Sequence, residues 1–273
     1  MFSEIILNTV VIPFVLGIVL FFAARKFPEF GLWGAFVTGI AVFCIYILLE
    51  GWPSLPPISS KPKVAVLIAG FTILNVASGF LRINRFALIL GLLSLALLWI
   101  GWNRIGDIEM LPRFAALMVP VAIGGWAFQN FDQQDQSSLF WPITLIAFAI
   151  GGALIALLGA YIGLAQAMGA VGAFLGGFAL LTFIFILFRP NTAPTNLPQN
   201  VHQVIFLSLM SLLIAIGLYA PEVSTIAIAT MAMVLLLPGL TARFARFPTA
   251  LQPVIYGITT AMPVGVAIAI AAL

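Results

Sequence analysis

The chain has 273 residues, 63% of them hydrophobic and 7% charged, with a mean hydropathy of +1.21. Soluble domains carry roughly 25% charged residues, so this chain cannot clothe a water-facing surface, and a soluble enzyme, a nucleic-acid reader and a disordered adaptor are excluded. The formal charge of +3 comes from 11 Lys and Arg against 8 Asp and Glu; in a membrane chain such charges report where loops lie and not an acidic partner.

A hydrocarbon core about 30 Å thick takes about 20 mainly apolar residues per helix. Ten such runs follow one another: Ile5–Ala24, Gly31–Leu49, Val64–Phe80, Phe86–Trp102, Phe114–Phe128, Phe140–Leu158, Ile162–Phe188, Val204–Ala220, Val223–Leu237 and Ala250–Ala272. The first has no Lys or Arg before it and so lacks the start of a cleavable signal; it is expected to be kept as a span. The stretch Leu139–Phe188 is too long for one crossing and must fold back near Gly159–Gly163. The fifth and ninth runs are short, which leaves nine or ten crossings. No run alternates as barrel strands do, so the expected class is all-α, a polytopic transmembrane helix bundle forming a single integral membrane domain over residues 1–273.

Trp33, Trp52, Trp102 and Trp141 fall near span ends, as an aromatic belt requires. With the N-terminus outside, Arg25, Lys26, Arg82, Arg85, Arg189, Arg243 and Arg246 share one face, and Lys61, Lys63, Arg104 and Arg113 the other. Cytoplasmic loops favour Lys and Arg, so the expectation is a bacterial inner (cytoplasmic) membrane protein with its N-terminus outside.

Two proline-rich loops, GWPSLPPISSKPK and RPNTAPTNLPQN, each follow the second span of a five-span half. Together with matching Gly and Pro offsets they are consistent with pseudo-repeats over residues 1–128 and 139–273, a 5+5 inverted repeat of the kind found in secondary transporters. Within it, MVPVAIGG in the fifth span and TTAMPVGVA in the tenth carry proline with glycine close behind. Paired interruptions point to a binding site; their plain alternative is kinking for packing. In span number and half length the chain resembles the drug/metabolite transporter architecture. That resemblance covers no motif, and the glutamate often found near the end of that family's first half is missing. It implies a carrier passing a neutral or largely hydrophobic molecule past the fifth and tenth spans.

No ionisable residue falls in the middle of a run; Glu4, Glu50, Glu222, Lys63, Arg189 and His202 sit at ends. A carboxylate proton relay, a voltage sensor and a charged-ion channel are therefore not expected. The chain holds one His and one Cys, too few for bis-histidine haem or a Cys/His metal site, and it has no P-loop or catalytic set. No metal, cofactor or enzymatic activity is expected. The Gln129–Ser138 loop, with Asp132 and Asp135, reads as a solvated turn and His202 as an interfacial residue.

Mild polarity remains inside the spans. The candidate substrate-binding residues are Asn75, Pro120, Gly124, Gln166, Tyr256, Thr259, Thr260 and Pro263; Ser78 and Tyr161 belong to the same set. Interhelical hydrogen bonding is the alternative for most of them. Gly159 with Gly163 and Gly172 with Gly176 are four apart, the spacing that lets backbones approach, and predict tight packing of the sixth and seventh spans. Cys44 reads as a small core hydrophobe. Two functions follow: a carrier or facilitator of a neutral or hydrophobic small molecule, or a non-catalytic structural or accessory subunit of a larger membrane complex. The expected partners are membrane lipid and either other membrane subunits or further copies of the chain; nucleic acid is not one.

Overall fold

The computed structural model describes residues 2–27, 31–81, 84–130, 139–188, 195–244 and 246–273. The expectations for Arg82, Arg189 and the Asp132–Asp135 turn lie outside the described residues. The helices are α1 (Ser3–Lys26), α2 (Gly31–Glu50), α3 (Ser60–Leu81), α4 (Arg85–Gly101), α5 (Leu111–Asn130), α6 (Phe140–Leu158), α7 (Ile162–Phe188), α8 (Gln199–Tyr219), α9 (Thr225–Leu240) and α10 (Gln252–Ala271). Among the described residues all but α9 are long and apolar enough to cross a membrane.

Side-chain contacts fix which ends share a face. Lys63 of α3 donates to the carbonyl of Trp99 at the end of α4, Tyr219 at the end of α8 donates to Ile100, and Arg113 at the start of α5 donates to Ala220. These ends form one face, called here the Glu50 face. Opposite lies the Gln199 face, where Gln199 donates to the carbonyl of Phe128 and Phe140 packs on Tyr256 and Phe244. Ala220 is thus on the Glu50 face and Phe244 on the other, so α9 crosses too.

How so short a segment crosses follows from its geometry. Thr225–Met231 is α-helical over seven residues, and Ala232–Leu240 is a 3₁₀ helix of nine. At about 1.5 and 2.0 Å per residue these rise about 28 Å, against about 24 Å for an all-α segment, close to a bilayer's apolar thickness. The fifth span is longer than expected, because Pro112 and Arg113 lie inside α5.

α8 is the hub. Every residue from Val201 to Leu218 is buried, and α2, α3, α4, α5, α6 and α7 all pack on it. Elsewhere α1 lies along α7, α10 along α6, and α9 joins α5 to α10. The packing does not show the inverted repeat. Such symmetry would pair α6 with α2 as α1 pairs with α7, yet α2 packs on α3, α7 and α8 and makes no comparable contact with α6.

Among the described glycines, those at which a Cβ would strike the backbone of another helix join α1 and α7. A Cβ on Gly17 would strike the Phe174 carbonyl, and one on Gly177 the Phe14 carbonyl. Gly176, by contrast, has open space about it, and Gly172 meets Ala149 and Ile150 of α6 only at ordinary contact distance. Gly159 ends α6, and Gly163 lies in the first turn of α7 beneath Glu50 and Lys61. Cys44, expected in the core, is exposed on the outside of the bundle. In a bilayer an apolar residue type does not choose between core and lipid.

Candidate functional site

The polar residues that open α8 form the most unusual part of the interior. Gln199 donates to the Phe128 carbonyl at 2.7 Å and so satisfies an orphan acceptor in the last turn of α5. Asn75 of α3 donates through Nδ2 to the Asn200 carbonyl at 2.9 Å, while Ser78 donates to the Asn75 carbonyl at 2.7 Å. On another flank of α8, the His202 ring stacks on Trp141, centroids 6.3 Å apart, and Trp141 stacks on Phe128 at 4.2 Å. His202 is 4% exposed. It is therefore a buried residue between helices and not the interfacial one expected, because α8 starts before Val204 and carries its polar first turns inside the ring.

Three buried polar atoms near this end have no hydrogen-bond partner among the described residues: Thr38 Oγ1 on α2, Asn75 Oδ1 on α3 and Gln203 Nε2 on α8. Their side chains are no more than 1% exposed. The three helices pack on one another, and Thr72, one turn from Asn75, sits against Gly39 beside Thr38. Each buried unsatisfied group costs about 1–3 kcal/mol, so three in one region is a large penalty with no structural return.

The other proposed residues are spread through the bundle. Pro120 and Pro263 lie inside continuous helices, so neither α5 nor α10 is broken there. α5 and α10 both pack on α9 and make no comparable contact with each other. Gly124 is the seat of the Phe206 ring, which a Cβ would strike. Tyr256 shares a 2.6 Å hydrogen bond with Thr144 of α6 in an aromatic cluster with Phe140 and Phe244. Thr259 and Thr260 donate to carbonyls of their own helix, Ile255 and Gly257. Gln166 is half-buried on α7. Tyr161 lies in the turn between α6 and α7, where its hydroxyl is 3.3 Å from that of Ser60. Of the candidates only Asn75, with Ser78 bonded to its carbonyl, belongs to the polar seam. Gln203, Thr38 and Asn200 were missed, although four hydrogen-bonding side chains in QNVHQ were a readable signal.

The Glu50 face is held by charge. Lys61 pairs with Glu50 at 2.5 Å, and Tyr46 donates to the Lys61 carbonyl at 2.9 Å. Arg113 donates to the carbonyls of Gly217, Ala220 and Pro221 at 3.4, 2.8 and 3.2 Å, placing a cation on the negative end of the α8 dipole. Arg104 stands over the Tyr219 ring at 5.2 Å. A furrow of about 540 Å³ runs between α2 and α3, lined by Leu32, Trp33, Phe36, Val76 and Phe80. It continues into a 210 Å³ depression floored by Gly39 and Thr72. Among the described residues no cluster of His, Cys, Asp and Glu could hold a metal ion.

Comparison with known proteins gives no match: no protein-family model matches this sequence, and no curated protein does.

Proposed function

We propose that the chain is a non-catalytic carrier or facilitator of a small uncharged molecule in a bacterial inner membrane, with the Gln199 face in the cytoplasm. The reading is carried by the unsatisfied uncharged groups of Thr38, Asn75 and Gln203, which three mutually packed helices hold inside the bundle. A passing solute would satisfy them. Among the described residues, Glu50, Lys61, Lys63 and Arg113 lie at the opposite face, and no charged side chain is hydrogen-bonded to Thr38, Asn75 or Gln203. Arg25, Lys26, Arg85, Arg243 and Arg246 lie toward the Gln199 face, against Lys61, Lys63, Arg104 and Arg113 toward the Glu50 face, and this bias supports assigning the Glu50 face to the outside.

The test is uptake by proteoliposomes followed by light scattering, with glycerol, acetamide and sodium chloride as probes. Faster entry of a neutral probe than into empty vesicles, with sodium chloride unchanged, supports the reading. Neutral uptake equal to that of empty vesicles overturns it. The accessory-subunit reading is favoured by the α2–α3 furrow, whose rims Trp33 and Phe80 are each 74% exposed. Stoichiometric copurification with unrelated chains in native mass spectrometry after mild extraction would support it instead.

A further inference from the structure

We infer that the α3–α8 seam beside Asn75 and Gln203 binds a neutral solute carrying both a hydrogen-bond donor and an acceptor, as a hydroxyl or carboxamide group does. The inference rests on the carrier reading for what the site is used for, and the site can be tested without it.

The Asn200 carbonyl only accepts, so the 2.9 Å contact fixes Nδ2 of Asn75 toward it and leaves Oδ1 as the outward acceptor. A helical carbonyl points along the axis toward the C-terminus, so the Asn200 oxygen is directed toward the turn that holds Gln203. There Gln203 supplies a donor, Nε2, that is buried and without a partner among the described residues. The Asn75 side chain is thus anchored at Asn200, and the Gln203 donor belongs to a residue three positions further along the same helix, about 4.5 Å by helical rise. Counting along the helices, they lie about 9 Å from the end of α3 and about 6 Å from the start of α8.

The chemistry of the ligand follows. An apolar molecule would leave both groups unsatisfied, and an ion would lose its hydration for two neutral dipoles in return. A neutral molecule that donates to Asn75 Oδ1 and accepts from Gln203 Nε2 satisfies both. Since both side chains are 1% exposed, the solute enters only when α3 and α8 part.

In proteoliposomes, Asn75→Leu and Gln203→Leu should each slow glycerol and acetamide uptake about tenfold, the effect of losing one hydrogen bond. Melting temperature should hold or rise for Gln203→Leu, which removes an unsatisfied donor, whereas Asn75→Leu also gives up its hydrogen bond to Asn200, so its uptake is compared at equal folded fraction. Well-folded variants with unchanged uptake overturn the site and leave the carrier reading standing. If the wild-type protein carries neither probe, the carrier reading fails and labelling tests the site. Gln203→Cys in a Cys44→Ser background should react with N-ethylmaleimide, and acetamide should slow the reaction severalfold. Absence of labelling, or labelling that acetamide does not slow, overturns the site, as does strong thermal coupling between the two leucine variants without any solute effect.

Discussion

Adjacent glycines of α7 should respond very unequally to the same substitution. At Gly177 an added methyl would strike the Phe14 carbonyl of α1, a backbone atom that cannot rotate away, so Gly177→Ala forces the helices apart. Restoring ordinary contact needs a displacement of about 1 Å, which forfeits up to half the dispersion energy of the contacts it opens. A buried side chain makes about 40 contacts worth about 0.15 kcal/mol each, so separating even one from its neighbours costs about 3 kcal/mol. At Gly176 an added methyl meets open space, and Gly176→Ala should change stability by less than about 0.5 kcal/mol. Thermal unfolding in a mild detergent reads the difference: a fall of about 6 °C or more for Gly177→Ala and almost none for Gly176→Ala. Equal melting temperatures for the two variants, or a larger loss at Gly176, would refute the assignment of the close approach to α1 and α7.

Two further substitutions probe the Glu50 face. Arg113→Ala removes charge-assisted hydrogen bonds to the end of α8 and should cost about 1.5–3 kcal/mol in thermal unfolding, with Arg113→Lys recovering only part because a lysine cannot span three carbonyls in the same fork. Lys61→Met leaves the Glu50 carboxylate, 8% exposed, without its cation and should destabilise by about 1–2 kcal/mol, a figure reduced because Lys61 is itself 44% exposed. The double variant Glu50→Gln/Lys61→Met should melt above Lys61→Met alone; a double variant no more stable than that single one would count against a coupled pair.

Composition and run length made the helical class and the number of crossings readable, because water and lipid differ so strongly as solvents for side chains. Position within the bundle was not readable, since core and lipid are equally apolar. Cys44 reads as core and is exposed, while α8, less hydropathic than α1 or α7, is the helix wholly enclosed. In this solvent it is polarity that marks the interior: His202, Gln203, Ser208 and Ser211 lie on α8 because its neighbours shield them from lipid. Treating the polar residues of QNVHQ as loop punctuation therefore removed the informative residues from the span. Asn75 was legible because it interrupts an apolar run. Pro120 and Pro263 leave their helices continuous, because a proline removes one hydrogen bond without ending a helix supported on both sides, and the small size of Gly124 makes room for Phe206.

All six helices that enclose α8 precede it in the chain. During synthesis they leave the ribosome before the element around which they close, so the nascent bundle holds an unfilled axis until residue 219 has emerged. A polypeptide stopped short of Gln199 would have walls and no centre.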